Sequence, residues 1–382
     1  MHYENENEQL ILDAIDKFLI KIKPSVHQLE ADDEYPEEIV QEMKEMGLFG
    51  AVIDPQYGGL GLPVSTYAKI VERIACVWMS LTGVFNSHLI MAMSLQRFGT
   101  EQQKAKWLPL FASGEMRGAL ALTEPNCGTD LQAIKTVAKR DGDDYIINGS
   151  KAWITNSLHG SCFAMLVKTD VSAKPAHKGM SLFIAPKGEG FVMGSKHKKL
   201  GYKGIDTAEF FLDDYRLPAE NLIGLEEGHG LQHALGALAL GRINVASRGI
   251  GVASAALKDS IEYSQQRKTF GKPICQHQSI QIYLADMATR VEAARLLVQS
   301  AAKAFDRGDR CDMEAGMAKL FATEAAMTNS AEALRIHGAY GYSTDFNVER
   351  YYRDAPLLAI GEGTNELQRI IIAKQLIEQN PL

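Results

Sequence analysis

Apolar residues change their spacing twice along this chain of 382 residues, and these changes restrict the folds that it can adopt. From residue 8 to about 120 they recur at helical spacing. Between about 119 and 225 short β-rich runs bounded by Gly, Pro, Asn and Asp replace them, and helical spacing returns after residue 230. Strands that follow one another without intervening helices predict an antiparallel sandwich or barrel. We therefore predict an α+β multidomain protein with an N-terminal helical domain (1–118), a middle antiparallel β domain (119–228) and a C-terminal four-helix bundle (229–382).

Gly and Pro residues divide this pattern into separate segments. Helices are predicted at residues 10–22, 37–46, 64–77, 81–98 and 101–113, and again at 231–265, 280–305, 313–336 and 366–377. Strands are predicted at residues 144–149, 151–155, 162–168, 180–185 and 208–212. The last four helices make a bundle plausible.

Composition restricts the partners and the compartment. Hydrophobic residues make up 46% and charged residues 23% of the chain, as in ordinary globular proteins. The net charge of -7 argues against a nucleic-acid surface. Free thiols in a reducing compartment and no structural zinc are expected, because no Cys-x-x-Cys pair occurs among Cys76, Cys127, Cys162, Cys275 and Cys311. Residues 1–9 lack signal-peptide and transit-peptide features, and we expect no membrane-spanning run, so a cytoplasmic protein is the simplest expectation.

One acidic residue near the C-terminus is a candidate general base. Glu362 lies between Gly361 and Gly363, after the apolar residues 357–360 and before an apolar helical segment. Burial would raise the pKa of this carboxylate toward the range in which a general base works best, and the glycines would let a bulky ligand approach. The alternative is a solvated loop residue before a helix that Thr364 caps.

Three further polar segments each allow a functional and a structural interpretation. Residues 122–130 can turn backbone N–H groups and threonine hydroxyls toward a polar ring or a phosphate, or they form an ordinary turn. Residues 267–273 place cations at the end of a long helix, where they stabilise its negative end or clamp a diphosphate. Arg242 lies within an apolar helix, either buried and in need of an anion or on the surface beside a carboxylate.

Motifs of other enzyme classes are weak in this sequence. Residues 58–61 (Gly-Gly-Leu-Gly) lack the full spacing of a dinucleotide-binding loop and predict a turn. Glu226-x-x-His229 fits one half of a di-iron motif, but it has no second copy and lies among glycines. No His-Glu-x-x-His, Gly-Lys-Ser/Thr phosphate loop or Gly-x-Ser-x-Gly is present. The sequence therefore argues against metal and acyl-enzyme chemistry.

In their order along the chain, the motifs resemble those of the acyl-CoA dehydrogenase family, over nearly the whole sequence. The segments that carry the resemblance are Thr123-Glu124-Pro125, Trp153-Ile154-Thr155-Asn156, Arg267-Lys268-Thr269-Phe270-Gly271, His337-Gly338-Ala339-Tyr340-Gly341-Tyr342, Arg353-Asp354-Ala355 and Glu362-Gly363-Thr364. The resemblance implies a homotetrameric FAD enzyme that oxidises an acyl-CoA to the 2-enoyl-CoA and passes electrons to electron-transferring flavoprotein. It also implies a role in fatty acid β-oxidation or branched-chain amino acid degradation.

The resemblance assigns roles to particular residues. It implies flavin-ring contacts at Leu122, Thr123, Trp153 and Thr155, and contacts of Thr129 with flavin phosphate and substrate. It implies that a set of C-terminal residues reaches the FAD of a neighbouring subunit: Arg267, Thr269, Phe270, Gln278, Arg335 and Gly338. Thr364 would contact the FAD of its own subunit, and Arg242 would lie on the substrate side, near the thioester.

The resemblance also implies a mechanism in which Glu362 removes the proton on the carbon next to the thioester while the adjacent carbon gives hydride to the flavin. A ribityl hydroxyl and the backbone N–H of Glu362 would bind the thioester carbonyl. In some relatives the base lies instead at the position of Gly241, so Glu362 is the only candidate here. Several flavin-side positions depart from the family pattern: Asn126, Cys127, Thr129, Arg335 and Ala339.

Gly361 is the main indication of substrate preference. A large aromatic residue often occupies this position in straight-chain members of the family, and glycine occurs in a branched-chain member. We therefore expect a short or branched acyl group. A flavin oxidase and a non-catalytic binding protein on the same fold are the alternatives.

Overall fold

The computed structural model describes residues 2–381. Helices form its N-terminal part, with bounds α1 His2–Ala31, α2 Glu37–Glu45, α3 Val64–Phe98 and α4 Glu101–Ala112. The two helices predicted at 64–77 and 81–98 are continuous except at Trp78, whose φ of -154° and ψ of 102° interrupt the helix. Thr100 and Gln103 form a capping box that fixes the start of α4.

By length and composition α3 could cross a membrane, so the expectation that no run reaches membrane-spanning length is wrong. In the folded chain, however, 83% of the most apolar window of α3 is buried. This degree of burial is typical of a helix in a protein core. Helix α3 packs against α1 and α4 and also against the first long helix of the C-terminal part.

The middle part is one sheet of seven strands with bounds β1 Gly118–Ala121, β2 Val137–Asp141, β3 Asp144–Thr155, β4 Cys162–Lys168, β5 Met180–Pro186, β6 Phe191–Lys196 and β7 Thr207–Pro218. Most neighbours are antiparallel, as predicted. The pairing of β4 with β1 and with β2 is parallel, which corrects the purely antiparallel prediction. A parallel pair needs a long connection, and the segment between β1 and β4, which contains the β2–β3 hairpin, provides it.

The C-terminal part consists of α5 Gly230–Gln266, α6 Gln278–Asp306, α7 Asp312–His337, α8 Val348–Ile360 and α9 Asn365–Gln379, with a short hairpin of β8 Lys268–Thr269 and β9 Lys272–Pro273 after α5. The four predicted helices are present, and α8 is an additional one. Helix α7 contacts α5, α6, α8 and α9.

Helix α5 is the central element of the fold because α3 and α7 cover it from different sides. Small residues permit this close packing. A Cβ at Gly249 would lie 2.7 Å from the Ala322 carbonyl oxygen of α7, and a Cβ at Gly251 would lie 2.6 Å from the Glu72 carbonyl oxygen of α3. The helix is therefore buried over most of its length, and its N-terminal half lies beside the loop between α8 and α9.

Candidate active site

Glu362 lies in the tight connection between α8 and α9. The helix ends where the Gly361 N–H donates to the Leu357 carbonyl at 2.8 Å. Glu362 and Gly363 then adopt positive φ values of 54° and 87°, and Thr364 caps α9 by accepting a hydrogen bond from the Leu367 N–H at 3.3 Å. A left-handed conformation is unfavourable for a residue with a Cβ, so the surrounding contacts must hold Glu362 in place.

The Glu362 carboxylate points into the interior, between α3 and α5. Its Oε1 accepts a hydrogen bond from Asn86 Nδ2 of α3 at 2.7 Å. Its Oε2 is buried and has no hydrogen-bond donor among the described residues. Gly241 of α5 faces the same oxygen, and a Cβ there would overlap Oε2. One oxygen is thus positioned by a neutral donor, and the other remains available to accept a proton.

Burial raises the pKa of Glu362 above its ordinary value. The charge of Arg248, the hydrogen bond from Asn86, and the charges of Lys319 and Arg242 oppose this shift. The net effect is a raised pKa, so the Glu362 carboxylate is a stronger base than a solvated carboxylate. The solvated-loop interpretation of Glu362 therefore does not describe its carboxylate, although Thr364 does cap the following helix.

Lys319 of α7 fixes the loop that carries Glu362, and sequence reasoning did not identify it. Its fully buried Nζ donates to the Ala359 carbonyl at 3.1 Å, to the Gly363 carbonyl at 2.9 Å and to Asn365 Oδ1 at 2.9 Å. Burial lowers the pKa of Lys319 to about 8, and the Glu362 charge opposes this shift. Lys319 therefore joins the end of α8 to the start of α9 across Glu362.

Replacing Lys319 with methionine is expected to lower the free energy of unfolding by about 3 kcal/mol, because it removes three hydrogen bonds from a buried cation and leaves the Ala359 carbonyl without that donor. The Gly363 carbonyl keeps a hydrogen bond from Gln368 Nε2, and Asn365 Oδ1 keeps one from Thr323. Chemical denaturation of the variant measures this loss. Lys303→Met is a matched control, since Lys303 of α6 is exposed and such a surface change is expected to stay within about 0.5 kcal/mol. Equal stability of the two variants would contradict the positioning role of Lys319.

The proposed flavin-ring residues lie together beside β3. The Leu122 carbonyl accepts from Lys151 Nζ at 3.2 Å, and the Thr123 carbonyl accepts from the Ala152 N–H at 3.0 Å. Trp153 has a positive φ of 60°, is 59% exposed and stacks on His197 at 4.3 Å. Thr155 is half-buried at the end of the strand, and Thr129 is exposed beyond the turn.

Glu124 has a structural role in this region. Its buried carboxylate accepts hydrogen bonds from the Lys135 N–H at 2.6 Å, the Thr136 N–H at 3.0 Å and Lys151 Nζ at 2.9 Å. Burial raises the pKa of Glu124, but the Lys151 charge and these hydrogen bonds outweigh it and hold the pKa below the usual value. These bonds fix the turn after Thr123 against β3. Residues 122–130 therefore form an ordinary turn that can still present polar groups to a ligand.

The remaining cofactor candidates form a separate surface at the end of α5, the start of α6 and the end of α7. We call this the end surface, and it comprises Arg267, Thr269, Phe270, Gln278, Arg335 and Gly338. All are exposed except Thr269, which is half-buried and hydrogen-bonds to His277 at 2.9 Å. At 1.5 Å per helical residue, Arg267 lies about 39 Å along α5 from Gly241. In one chain the end surface is therefore remote from Glu362.

Arg242 combines features of both sequence interpretations. It is buried, and its Nη1 lies 3.2 Å from Asp312 Oδ1, so the guanidinium has a carboxylate neighbour. Its Nε is also buried and has no hydrogen-bond acceptor among residues 6–381. An unused buried donor is costly, which makes Arg242 a candidate for contact with a ligand oxygen.

The residues fit FAD. The exposed Trp153 indole and the accessible Thr123 and Thr155 can border a flat polar ring. On the end surface, the Arg267 and Arg335 guanidiniums lie over the rings of Tyr340 and Tyr283, at 5.9 and 5.2 Å, and neither pairs with a carboxylate among the described residues. Two such guanidiniums can bind a diphosphate.

Comparisons with known protein families agree with this arrangement. Three family models match the chain, described as acyl-CoA dehydrogenase N-terminal domain (residues 5–115), middle domain (119–215) and C-terminal domain (228–377). Together they cover most of the sequence.

Individual relatives are similar along nearly their full lengths. The chain is 40% identical to an acyl-CoA dehydrogenase of Bacillus subtilis (strain 168) over 359 residues, which cover 94% of each protein. It resembles the structure of butyryl-CoA dehydrogenase from Megasphaera elsdenii with a TM-score of 0.94 and 38% identity, over 97% of this chain and 98% of that one. The same values hold for a chain in a structure described as "Electron transferring flavoprotein of Acidaminococcus fermentans: Towards a mechanism of flavin-based electron bifurcation".

Proposed function

This chain belongs to the acyl-CoA dehydrogenase family of FAD-dependent oxidoreductases that act on the CH–CH group of an acyl-CoA, and we propose that it uses Glu362 to oxidise a short or branched acyl-CoA. The observation that carries this proposal is the buried Glu362 Oε2, which lacks a donor among the described residues. Among the described residues, no other carboxylate oxygen is both buried and without a donor, and position 241 holds glycine.

In the proposed reaction Glu362 takes the proton from C2 of the acyl group, and bound FAD supplies the acceptor for the hydride that leaves C3. The C2 proton is only weakly acidic, so the developing negative charge on the thioester oxygen needs hydrogen-bond donors. The backbone N–H of Glu362 has no acceptor within the described chain and is suitably placed to be one of them. The buried surroundings exclude water from the base.

Gly361 supports the choice of a short or branched substrate. A Cβ at this position would meet only the Leu357 carbonyl oxygen at 3.3 Å and Leu357 Cδ1 at 4.0 Å. Any residue can adopt the Gly361 φ of -68°, so the backbone conformation does not require glycine at this position. The space beside the base can therefore accommodate a branch on the acyl group.

Turnover of isobutyryl-, isovaleryl-, butyryl- and octanoyl-CoA tests this preference. The short and branched thioesters are expected to have kcat/KM values at least about 10-fold above octanoyl-CoA, the discrimination that a few methylene groups can provide. Anaerobic bleaching of the flavin reports each reaction directly. A clear preference for octanoyl-CoA would contradict the assignment.

Assembly and partners are also part of the proposal. Phe270 is 97% exposed and Tyr342 is 91% exposed, and exposed aromatic residues mark contact surfaces. We assign the end surface to the FAD of a neighbouring subunit in a homotetramer. The similar chain in the structure described as an electron-transferring flavoprotein supports electron-transferring flavoprotein as the acceptor. A cytoplasmic location and a role in β-oxidation or branched-chain amino acid degradation complete the proposal.

The two alternatives predict different behaviour of the purified protein. An oxidase would react rapidly with oxygen once its flavin is reduced. A non-catalytic protein would not be bleached by any acyl-CoA thioester. Rapid reoxidation by air, or a colourless protein that cannot take up FAD, would replace the dehydrogenase assignment.

A further inference from the structure

Arg248 is a buried guanidinium without a carboxylate partner. The residue is 4% exposed. Its Nε donates to Asn244 Oδ1 at 2.6 Å and its Nη1 to the Tyr202 hydroxyl at 3.5 Å, and both acceptors are neutral. Among the side chains of residues 6–381 no carboxylate oxygen lies within ion-pair distance of Arg248, whereas Arg242 and Arg353 each have one. A buried charge of this kind normally requires an anion.

The position of Arg248 on α5 directs it toward the base. Gly241, which faces Glu362 Oε2, precedes Arg248 by seven residues, so both lie on one face of the helix about 10 Å apart along its axis. Helical side chains lean toward the N-terminus, and the bond from Nε to Asn244, one turn earlier, shows this lean. The guanidinium therefore approaches the level of Gly241, so an acyl group that reaches from Glu362 to Arg248 must be short.

Polar groups surround the Arg248 guanidinium. Asn244 Nδ2 donates to the Tyr67 hydroxyl at 2.7 Å, and Arg248 joins Asn244 to Tyr202. We call Tyr67, Asn244, Arg248 and Tyr202 the Arg248 network. The Tyr202 hydroxyl also packs directly against Gly83 of α3, where a Cβ would overlap it. An alkyl tail placed here would leave the network without new partners, which disfavours a purely hydrocarbon acyl group.

The same region has an excess of positive charge. Arg248 lowers the pKa of Glu362 more than any other charged group, followed by Lys319 and Arg242. Only Arg242 of these three has its own carboxylate within 4 Å, namely Asp312. Glu366 and Glu324 also act on Lys319, but Arg248 acts on Glu362 more strongly than any other charge does, and Glu362 loses its own charge each time it accepts a proton. An anionic substrate would supply the missing negative charge.

We propose that Arg248 binds a carboxylate at the distal end of the acyl group, so that the preferred substrates are monothioesters of short dicarboxylic acids of four or five carbons. This inference rests on the proposed function and specifies its substrate class. A guanidinium binds a carboxylate with two parallel hydrogen bonds, and the Arg248 network fixes its orientation. Gly361 determines how wide an acyl group fits beside Glu362, and Arg248 selects for negative charge at the distal end of that acyl group.

Binding and turnover of matched thioesters test the inference separately. Isothermal titration of the oxidised holoenzyme gives Kd for glutaryl-CoA and valeryl-CoA, which have five acyl carbons each and differ by the distal carboxylate. Anaerobic flavin bleaching gives the rates for the same pair and for succinyl-CoA and butyryl-CoA. We expect glutaryl-CoA to bind at least about 10-fold more tightly than valeryl-CoA and to bleach the flavin faster, since a buried polar site rejects an analogue that lacks its partner.

Arg248→Gln is expected to remove this preference, so that the ratio of the two Kd values falls to about one or reverses, while Arg248→Lys keeps part of it. Lys258→Gln is the matched control, because Lys258 lies on α5 but is exposed, and its ratio should equal that of the natural protein. Bound flavin and the unfolding midpoint show whether each variant is folded.

The outcomes separate the two proposals. Equal Kd values for glutaryl-CoA and valeryl-CoA in the natural protein, or an unchanged ratio in a folded Arg248→Gln variant, overturn the role of Arg248 even if valeryl-CoA bleaches the flavin. Bleaching by none of these four thioesters, and by neither isobutyryl- nor isovaleryl-CoA, overturns the proposed function, and the Kd ratio then still decides whether Arg248 recognises a distal carboxylate.

Discussion

Replacing Glu362 with glutamine is expected to lower kcat about 1000-fold, within the range that removal of a general base produces, while the protein keeps its FAD. Glutamine retains the size of the side chain and can still contact Asn86, but it cannot accept the C2 proton. The rate of anaerobic flavin bleaching by a good substrate measures the loss, and the visible absorbance of the purified variant reports bound flavin.

Glu366→Gln is the matched control for this change. Glu366 is exposed in the first turn of α9, four residues after Glu362, and its replacement should leave kcat within about twofold, as for an ordinary surface change. Because burial raises the pKa of Glu362, the natural enzyme should lose activity as the pH falls through that raised value. A Glu362→Gln variant with unchanged turnover would show that another group is the base.

Replacing Gly241 with alanine is expected to lower kcat about 100-fold, the effect of displacing a reacting group by about 1 Å. The added methyl group would overlap Glu362 Oε2 and lie 2.7 Å from Ile90 Cδ1. Both neighbours are the ends of flexible side chains, so the helix can remain folded while the carboxylate moves. We therefore expect a large loss of turnover in this variant and only a small change in its unfolding midpoint.

Gly188→Ala serves as the control for Gly241→Ala. A Cβ at Gly188 would meet no atom closer than Tyr215 Cε2 at 3.8 Å, so neither turnover nor stability should change. Full activity in a folded Gly241→Ala variant would mean that the Glu362 carboxylate does not need its present position. Loss of flavin or of folding would instead place the role of Gly241 in the packing of α5.

Local sequence patterns predicted the elements that have a strong period of their own. The strand predicted at 162–168 coincides with β4 Cys162–Lys168, and the helix predicted at 231–265 differs from α5 Gly230–Gln266 by one residue at each end. Alternation and helical spacing are local properties, so they can be read from short segments. Two strands were missed: β1 Gly118–Ala121 has only four residues, and β6 Phe191–Lys196 (Phe-Val-Met-Gly-Ser-Lys) does not alternate apolar and polar residues.

Contacts between distant segments could not be predicted in the same way. The parallel pairing of β1 with β4 depends on the path of the intervening chain. Helix α8 contains Pro356, which argues against a helix when the sequence alone is considered. Both features follow from tertiary packing, which local propensity does not encode.

The candidate site was predicted in part. The glycines around Glu362 indicated the loop, but its partners come from remote positions: Asn86 is 276 residues away and Lys319 donates to a carbonyl 44 residues away. The one available signal was the presence of polar residues within apolar helices, which identified Arg242. The same reasoning applied to Asn86, Asn244, Arg248 and Lys319 would have identified them as well.

Exchange of the C2 protons of 3-thiabutyryl-CoA with D2O measures most directly whether Glu362 is the base. Sulfur replaces the carbon that gives hydride, so only proton transfer can occur, and nuclear magnetic resonance follows the exchange. We expect the natural holoenzyme to catalyse exchange and the flavin-containing Glu362→Gln variant to fall to the rate without enzyme. Exchange by that variant at the natural rate would contradict the assignment of Glu362 as the base.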